Sequence, residues 1–290
     1  MAQPSDAGLF YACITHVALP MAFPAYVTPI YLGQAQGPGL LNLRDLAPEW
    51  EPHHPVLGGT AGTFAVKNLL LRNPSGVTQV GMCQYRKFVS HRRISRVVAK
   101  SYPAMDVVAM ADLPPERLAD VMRPGPEPFM VSRLLSLRKE RGCLGQYGRV
   151  HHAQDLLRFA AEAVDQGVIG SAEAHAFMRE LDFIPGGLEL GLFPADFWLR
   201  HITSVESVLR ACILRYPIVR TEYQVRAWAF CAERLGSYLL LRHFRQGRPA
   251  GHDRLDRLSR LLPSHWARRY VGRLNVVTQA GPANYVIGGP

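Results

Sequence analysis

The chain has 290 residues, 48% hydrophobic and 19% charged. That is enough for one large domain or two small ones with a buried core, and it excludes wholesale disorder. Lysine and arginine outnumber aspartate and glutamate by 33 to 23, a net charge of +10, which favours a polyanionic partner such as nucleic acid, an anionic membrane surface or a phosphorylated substrate. No apolar run approaches about eighteen residues, so no membrane-spanning helix is expected. Residues 1–20 lack the layout of a secretion signal. The five cysteines, Cys13, Cys83, Cys143, Cys212 and Cys231, are scattered in apolar surroundings. They are expected to be reduced core thiols of a cytoplasmic protein.

In chain order, Leu9 to His16 predicts a buried strand that delivers Thr15 and His16 to its carboxyl end. Tyr26 to Leu32 predicts a second strand, ending at Gly33. Residues 34–58, rich in Gly, Pro and His, predict a long loop. Gly62 to Leu71 has helical spacing, Pro74-Ser75-Gly76 a turn, and Val77 to Cys83 the pattern of another buried strand. Met105 to Met110 predicts a third short strand of this kind. Such alternation predicts an α/β fold with a largely parallel sheet, whose ligands sit at the carboxyl ends of strands. The second half predicts helices over His151–Gly167, from Ser171, over Val205–Leu214 and over Val225–Phe244. From Arg242 to Arg273, nine arginines face two aspartates. This basic stretch is either a surface for an anionic membrane or a solvated helical face.

Several residue groups carry chemistry. Gln84-Tyr85-Arg86-Lys87-Phe88 places two cations at a strand exit, where they could hold a phosphate or form a solvated charge pair. Thr15-His16 could touch a nucleotide or cap the strand. Arg226 and Glu233 lie two helical turns apart and are expected to share a face, as an architectural pair or as a positioned general base. The pairs His53-His54 and His151-His152 lack the spacing of a metal site. No phosphate-binding loop, serine nucleophile elbow, dinucleotide fingerprint or Asp-x-Asp motif is present.

Six motifs occur in one order: Cys13-Ile14-Thr15-His16, Thr28-Pro29-Ile30-Tyr31-Leu32-Gly33, Val66-Lys67-Asn68, Val80 to Phe88, Asp106-Val107-Val108 and Arg226 to Leu235. In that order the chain resembles a bacterial family of capsular, exopolysaccharide and lipopolysaccharide glycosyltransferases. It departs from the family at Gly58-Gly59-Thr60-Ala61-Gly62-Thr63-Phe64, where the family has an acidic and aromatic stretch. It departs also at Gly37 to Pro55, at Gln84 and at Lys87. The resemblance implies a GT-A-like nucleotide-binding sheet over residues 1–245, helix-rich from about residue 150, followed by a basic tail over 246–290. It implies a nucleotide-sugar donor, with UDP-sugars favoured and no further cofactor, and the cations that stand at the strand exit in place of Asp-x-Asp make a metal-independent enzyme the expectation. The donor would be held by Thr15, His16, Lys67, Asn68, Tyr85, Arg86, Lys87 and Asp106. Arg86 and Lys87 would take the place of a metal on the diphosphate.

For the chemical step, Glu233 is the first candidate base and Asp196 the second, with Arg226 beside them and Trp198 as either a sugar platform or a core aromatic. The expected acceptor is a surface polysaccharide or a lipid-linked glycan, met in the cytoplasm with peripheral contact to the inner membrane. Two alternatives stand: an inactive relative acting as a scaffold, and a basic nucleic-acid-binding protein. Against the latter, aromatics do not interleave with the basic residues.

Overall fold

The computed structural model describes residues 8–35, 40–73, 76–99, 102–246 and 271–279. Strands β1 (Leu9–Thr15) and β2 (Val27–Tyr31) are followed by short helices α1 (Leu43–Leu46) and α2 (His54–Leu57), which flank a 3-10 turn at Pro48–His53, and by α3 (Gly59–Arg72). Next come β3 (Gln79–Gln84), β4 (Lys87–Ser90), β5 (Val98–Ala99), β6 (Tyr102–Ala109), α4 (Pro115–Met122), β7 (Val131–Ser132) and β8 (Leu135–Ser136). The second half contains α5 (Cys143–Val150), α6 (Ala153–Asp165), α7 (Ser171–Met178), β9 (Asp182–Phe183), β10 (Gly191–Pro194), α8 (Ala195–Arg215), α9 (Ala227–Gln246) and β11 (Val271–Thr278).

The main sheet has the order β2-β1-β3-β4-β11-β6-β5, with β10 also on β3 and β7 on β11. β1 runs parallel to β2 and β3, and β11 runs parallel to β6 and β7. β4 is antiparallel to both its neighbours, and β10 to β3. This is the expected α/β architecture with a largely parallel central sheet.

Both faces of the sheet are covered, so alternate residues of each inner strand enter different cores. Ala12, Ile14, Val80 and Met82 join the helical side with Phe64, Trp198 and Leu235. Tyr11, Cys13 and Cys83 pack with Leu118, Val121 and Met122 of α4 on the other. All five cysteines are buried and free. On α9, Trp228, Cys231, Leu235 and Leu239 are buried as their helical spacing predicts, and so is most of the rest of that helix.

The structure corrects the sequence reading in four places. Residues 34–58 are not a plain loop, because Asn42 caps α1 by accepting from the Asp45 N–H at 2.9 Å, and Trp50 is buried against Phe64 with ring centroids 4.6 Å apart. One buried aromatic organises the surrounding turns despite the proline and glycine content. Helix α8 starts at Ala195, ten residues before the apolar periodicity suggests. Lys87 and Phe88 do not follow the sheet but belong to it, as the start of β4 after a two-residue turn at Tyr85-Arg86. Finally, a division at residue 245 does not describe the sheet, since β11 comes from beyond it and lies between β4 and β6. Residues 247–270, most of the arginine-rich stretch, lie outside the described residues. No helix among those described is long and apolar enough to cross a membrane.

Candidate functional site

β1 and β3 are parallel neighbours and end at the same edge of the sheet, with Cys13 opposite Cys83 and Ile14 opposite Gln84. Their register places Thr15-His16 beside Tyr85-Arg86-Lys87. The Tyr85 N–H donates to the Ile14 carbonyl at 3.1 Å, and the Val277 N–H of β11 donates to the Arg86 carbonyl at 2.8 Å. The hairpin turn is thus held from both sides. A cleft of about 290 Å³ opens here, lined by Thr15, His16, Leu32, His54, Pro55, Gly58, Gly59, Gln84, Tyr85, Arg86, Lys87 and Arg226, with Ile14 at its base.

The lining residues bring together two arginines, a lysine, two histidines and no carboxylate. Arg86 is exposed and stands 5.5 Å from the Tyr85 ring centroid, and that ring meets His16 edge-on at 5.0 Å. Lys87 is partly buried and forms no direct ion pair among the described residues. Burial, then the positive fields of Arg86 and Arg226, lower its hold on its proton, while Glu233 first and Glu189 last support it.

Arg226 comes from the 3-10 turn before α9. Its Nε is buried without a hydrogen-bond partner among the described residues. Its guanidinium lies against the start of α3, where a Cβ on Gly58 (φ +55°) would be 2.7 Å from Nη2. Glycine suits the left-handed backbone angle there, and its missing side chain leaves room for the guanidinium. A cation set against the positive end of a 14-residue helix is electrostatically uphill until an anion joins it. Both histidines report the same field. Burial first, then His54, Arg86 and Arg226, holds His16 below the usual imidazole range. Burial and Arg226 do so for His54, against Glu51.

The other expected site residues divide. Thr15 lines the cleft, yet its hydroxyl is engaged locally, donating to the Val17 carbonyl at 2.6 Å, so it caps the strand exit. Glu233 sits behind Lys87. Its Oε1 accepts from the Gly186 N–H at 2.8 Å, and it makes no ion pair with Arg226 among the described residues. Lys67 is not in the cleft. It pairs with Glu206 in the interior, whose other oxygen accepts from Trp50 Nε1 at 2.7 Å. Asn68 donates to the Leu46 carbonyl at 3.0 Å. Asp106 is 1% exposed and takes two hydrogen bonds from Arg273, at 2.6 and 2.7 Å. Asp196 is 80% exposed, its carboxylate 3.6 Å from Arg200 one turn along α8. Trp198 is fully buried and donates to the Leu188 carbonyl at 2.9 Å, which makes it a core residue.

Lys67, Asn68, Asp106 and Asp196 therefore stand apart from the cleft, the first three as internal fasteners. Replacing Lys67 with Met is expected to lower the unfolding free energy in urea by about 1–3 kcal/mol, because Glu206 loses its buried cation and keeps the half-exposed Arg210 at 3.2 Å and the Trp50 N–H. The same variant should leave anion binding by the folded protein unchanged. Weakened binding would return Lys67 to the site.

Sequence reasoning overlooked His54, Gly58, Gly59 and Glu189. Glu189 accepts from Thr60 Oγ1 at 2.6 Å, at the beginning of α3. The available signal was Pro185-Gly186-Gly187-Leu188-Glu189-Leu190, a carboxylate between leucines directly after a tight turn.

No family model matches the chain, and no curated protein does. The six-motif resemblance thus gains no support from sequence comparison. Among solved structures, the fold is similar to that of the apo structure of WbbM, a bifunctional glycosyltransferase, with a TM-score of 0.67 at 13% identity. The match covers 93% of this chain and 45% of that one, so the chain spans less than half of its length. At that identity the likeness is one of fold.

Proposed function

We propose that the chain is a glycosyltransferase that takes a nucleotide-sugar donor, UDP-sugars favoured, and binds its diphosphate without a metal ion. The observation that carries this reading is the convergence of Arg86, Lys87 and Arg226 with the start of α3 in one cleft at the exits of β1 and β3. Departure of a nucleoside diphosphate builds negative charge on the leaving oxygen, and fixed cations in a partly desolvated cleft stabilise it. Arginine forks and a lysine can supply what a divalent ion supplies elsewhere. The cleft is near the small end of ligand pockets, roughly 300–1,000 Å³, which suits a diphosphate with the adjoining groups reaching out of it.

Glu233, behind Lys87, is the proposed base for the acceptor hydroxyl. The acceptor is proposed to be a surface polysaccharide or a lipid-linked glycan, with Arg242–Arg273 as the stretch that would meet an anionic membrane. Of that stretch, the described arginines Arg242, Arg245 and Arg273 are all paired with carboxylates.

Titration with UDP, with a random oligonucleotide as control, tests the reading. UDP should bind and raise the melting temperature by mass action, and a UDP-sugar should turn over in EDTA. Preference for the oligonucleotide would favour the nucleic-acid alternative, and UDP binding without turnover would favour the inactive scaffold. Loss of turnover in EDTA with rescue by Mn²⁺ would overturn metal independence.

A further inference from the structure

Behind the cationic cleft lies a carboxylate that the donor reading leaves without a task. Three elements fix Glu189 in place. The turn that carries it is pinned to α9, with the Ile184 N–H donating to Ser237 Oγ and the Gly186 N–H to Glu233 Oε1, each at 2.8 Å. At Gly187 (φ +47°) a Cβ would lie 2.7 Å from the Glu233 carbonyl oxygen, so glycine alone allows this approach. On its other side Glu189 is held by Thr60, one residue beyond the Gly58-Gly59 pair that lines the cleft.

Around this carboxylate stand Lys87 of β4, Arg226 at the foot of α9 and Glu233 of α9, and all three act on it electrostatically. Burial, with Glu233 adding to it, pushes the Glu189 carboxyl up to about 7, against the opposing pull of Thr60, Arg226 and Lys87. Lys87 in turn draws support from both carboxylates.

We propose that Glu189 is the resident counter-ion of the cleft, a positioning residue that keeps Lys87 charged and balances the field of Arg226 while the cleft is empty and takes a proton from solvent when an oxyanion binds. The identity of that oxyanion rests on the donor reading, whereas its charge does not. An arriving diphosphate brings negative charge to the same cations. Two sets of counter-charge repel one another, and one proton on Glu189 relieves the conflict without moving the fold. Glu233 keeps its hydrogen bond from the main chain throughout.

The sign follows from linkage. The bound form holds more protons than the free form, so affinity rises as pH falls from the bound-state range toward about 7, where the free group titrates, and levels off below that. One linked proton changes affinity by at most about tenfold per pH unit. His16 and His54 are held below the usual imidazole range and respond at lower pH. Lys87 is the remaining group lining the cleft that an anion could reprotonate, and Lys87→Arg controls for it, while the terminal phosphate of UDP, which ionises at about pH 6, is common to every variant.

The test is calorimetric titration of the full chain with UDP near pH 7.5, in two buffers of different ionisation enthalpy. The unsubstituted protein and Lys87→Arg should take up a large fraction of a proton on binding, and Glu189→Gln none. From pH 7 to 8.5, UDP affinity should fall about fivefold or more in the first two and less than about twofold in Glu189→Gln. No uptake by the unsubstituted protein overturns the proposal, whether or not any variant folds. Uptake that survives Glu189→Gln, or that disappears only in Lys87→Arg, also overturns it. Pyrophosphate is the second probe. Proton uptake with pyrophosphate that is lost in Glu189→Gln, with no tighter binding of UDP, would support the counter-ion and remove the nucleotide reading. Failure of both anions to bind would overturn both.

Discussion

Replacing Glu233 with Gln is expected to lower kcat by about 10²- to 10⁴-fold, the range of a positioned general base, while UDP affinity changes by less than about threefold. The glutamine is close to isosteric and keeps an oxygen to accept from the Gly186 N–H, so the turn that packs on α9 should survive. What it cannot do is take a proton from an acceptor hydroxyl. A structural role would have another signature. Glu233 supports the charge on Lys87, so if that were its whole task, removing its charge would weaken donor binding and leave turnover of the bound complex near normal. The split between kcat and UDP affinity separates the two, and a loss confined to affinity would make Glu233 a support for the cation.

The double replacement Arg86→Ala with Lys87→Ala should weaken UDP binding by about 10²- to 10⁴-fold, since a hydrogen bond to a charged group contributes roughly 1.5–3 kcal/mol. Folding should be unharmed. Arg86 is exposed, and the backbone pairings of the hairpin with β3 and β11 do not use either side chain. Removing Lys87 relieves its repulsion from Arg86 and Arg226 but also takes away the cation that Glu233 and Glu189 face, so the variant's melting temperature without ligand should stay close to the parent's. Thermal unfolding with and without UDP reads both effects at once. If the double variant bound UDP as tightly as the parent, the hairpin cations would not face the diphosphate, and the donor reading would lose its main support.

Residues near in sequence made much of this molecule legible. The apolar runs of β1 and β3 end in polar residues, and parallel pairing of the two buried strands places their ends at one edge. That was enough to put Thr15, His16, Tyr85 and Arg86 at strand exits, because strand direction is a local property, whereas Lys87 proved to open the next strand. Helical periodicity likewise located α3, α6 and α9, and the scattered cysteines read as core thiols.

Contacts far apart in the chain decided the rest. Lys67 and Asp106 stand in motifs that look like site residues, yet each lies where a buried opposite charge, Glu206 or Arg273, comes in from more than a hundred residues away. Nothing local could reveal those partners. The same holds for Arg226, which lies against Gly58 at the start of α3, for Glu189, which depends on the packing of a glycine turn against α9, and for β11, which enters the sheet from within the stretch that reads as a basic tail. Sequence determines local geometry through sterics and periodicity, which act over a few residues. Which charges share a cleft depends on desolvation and Coulomb fields, which act through space and exist only once the chain has folded.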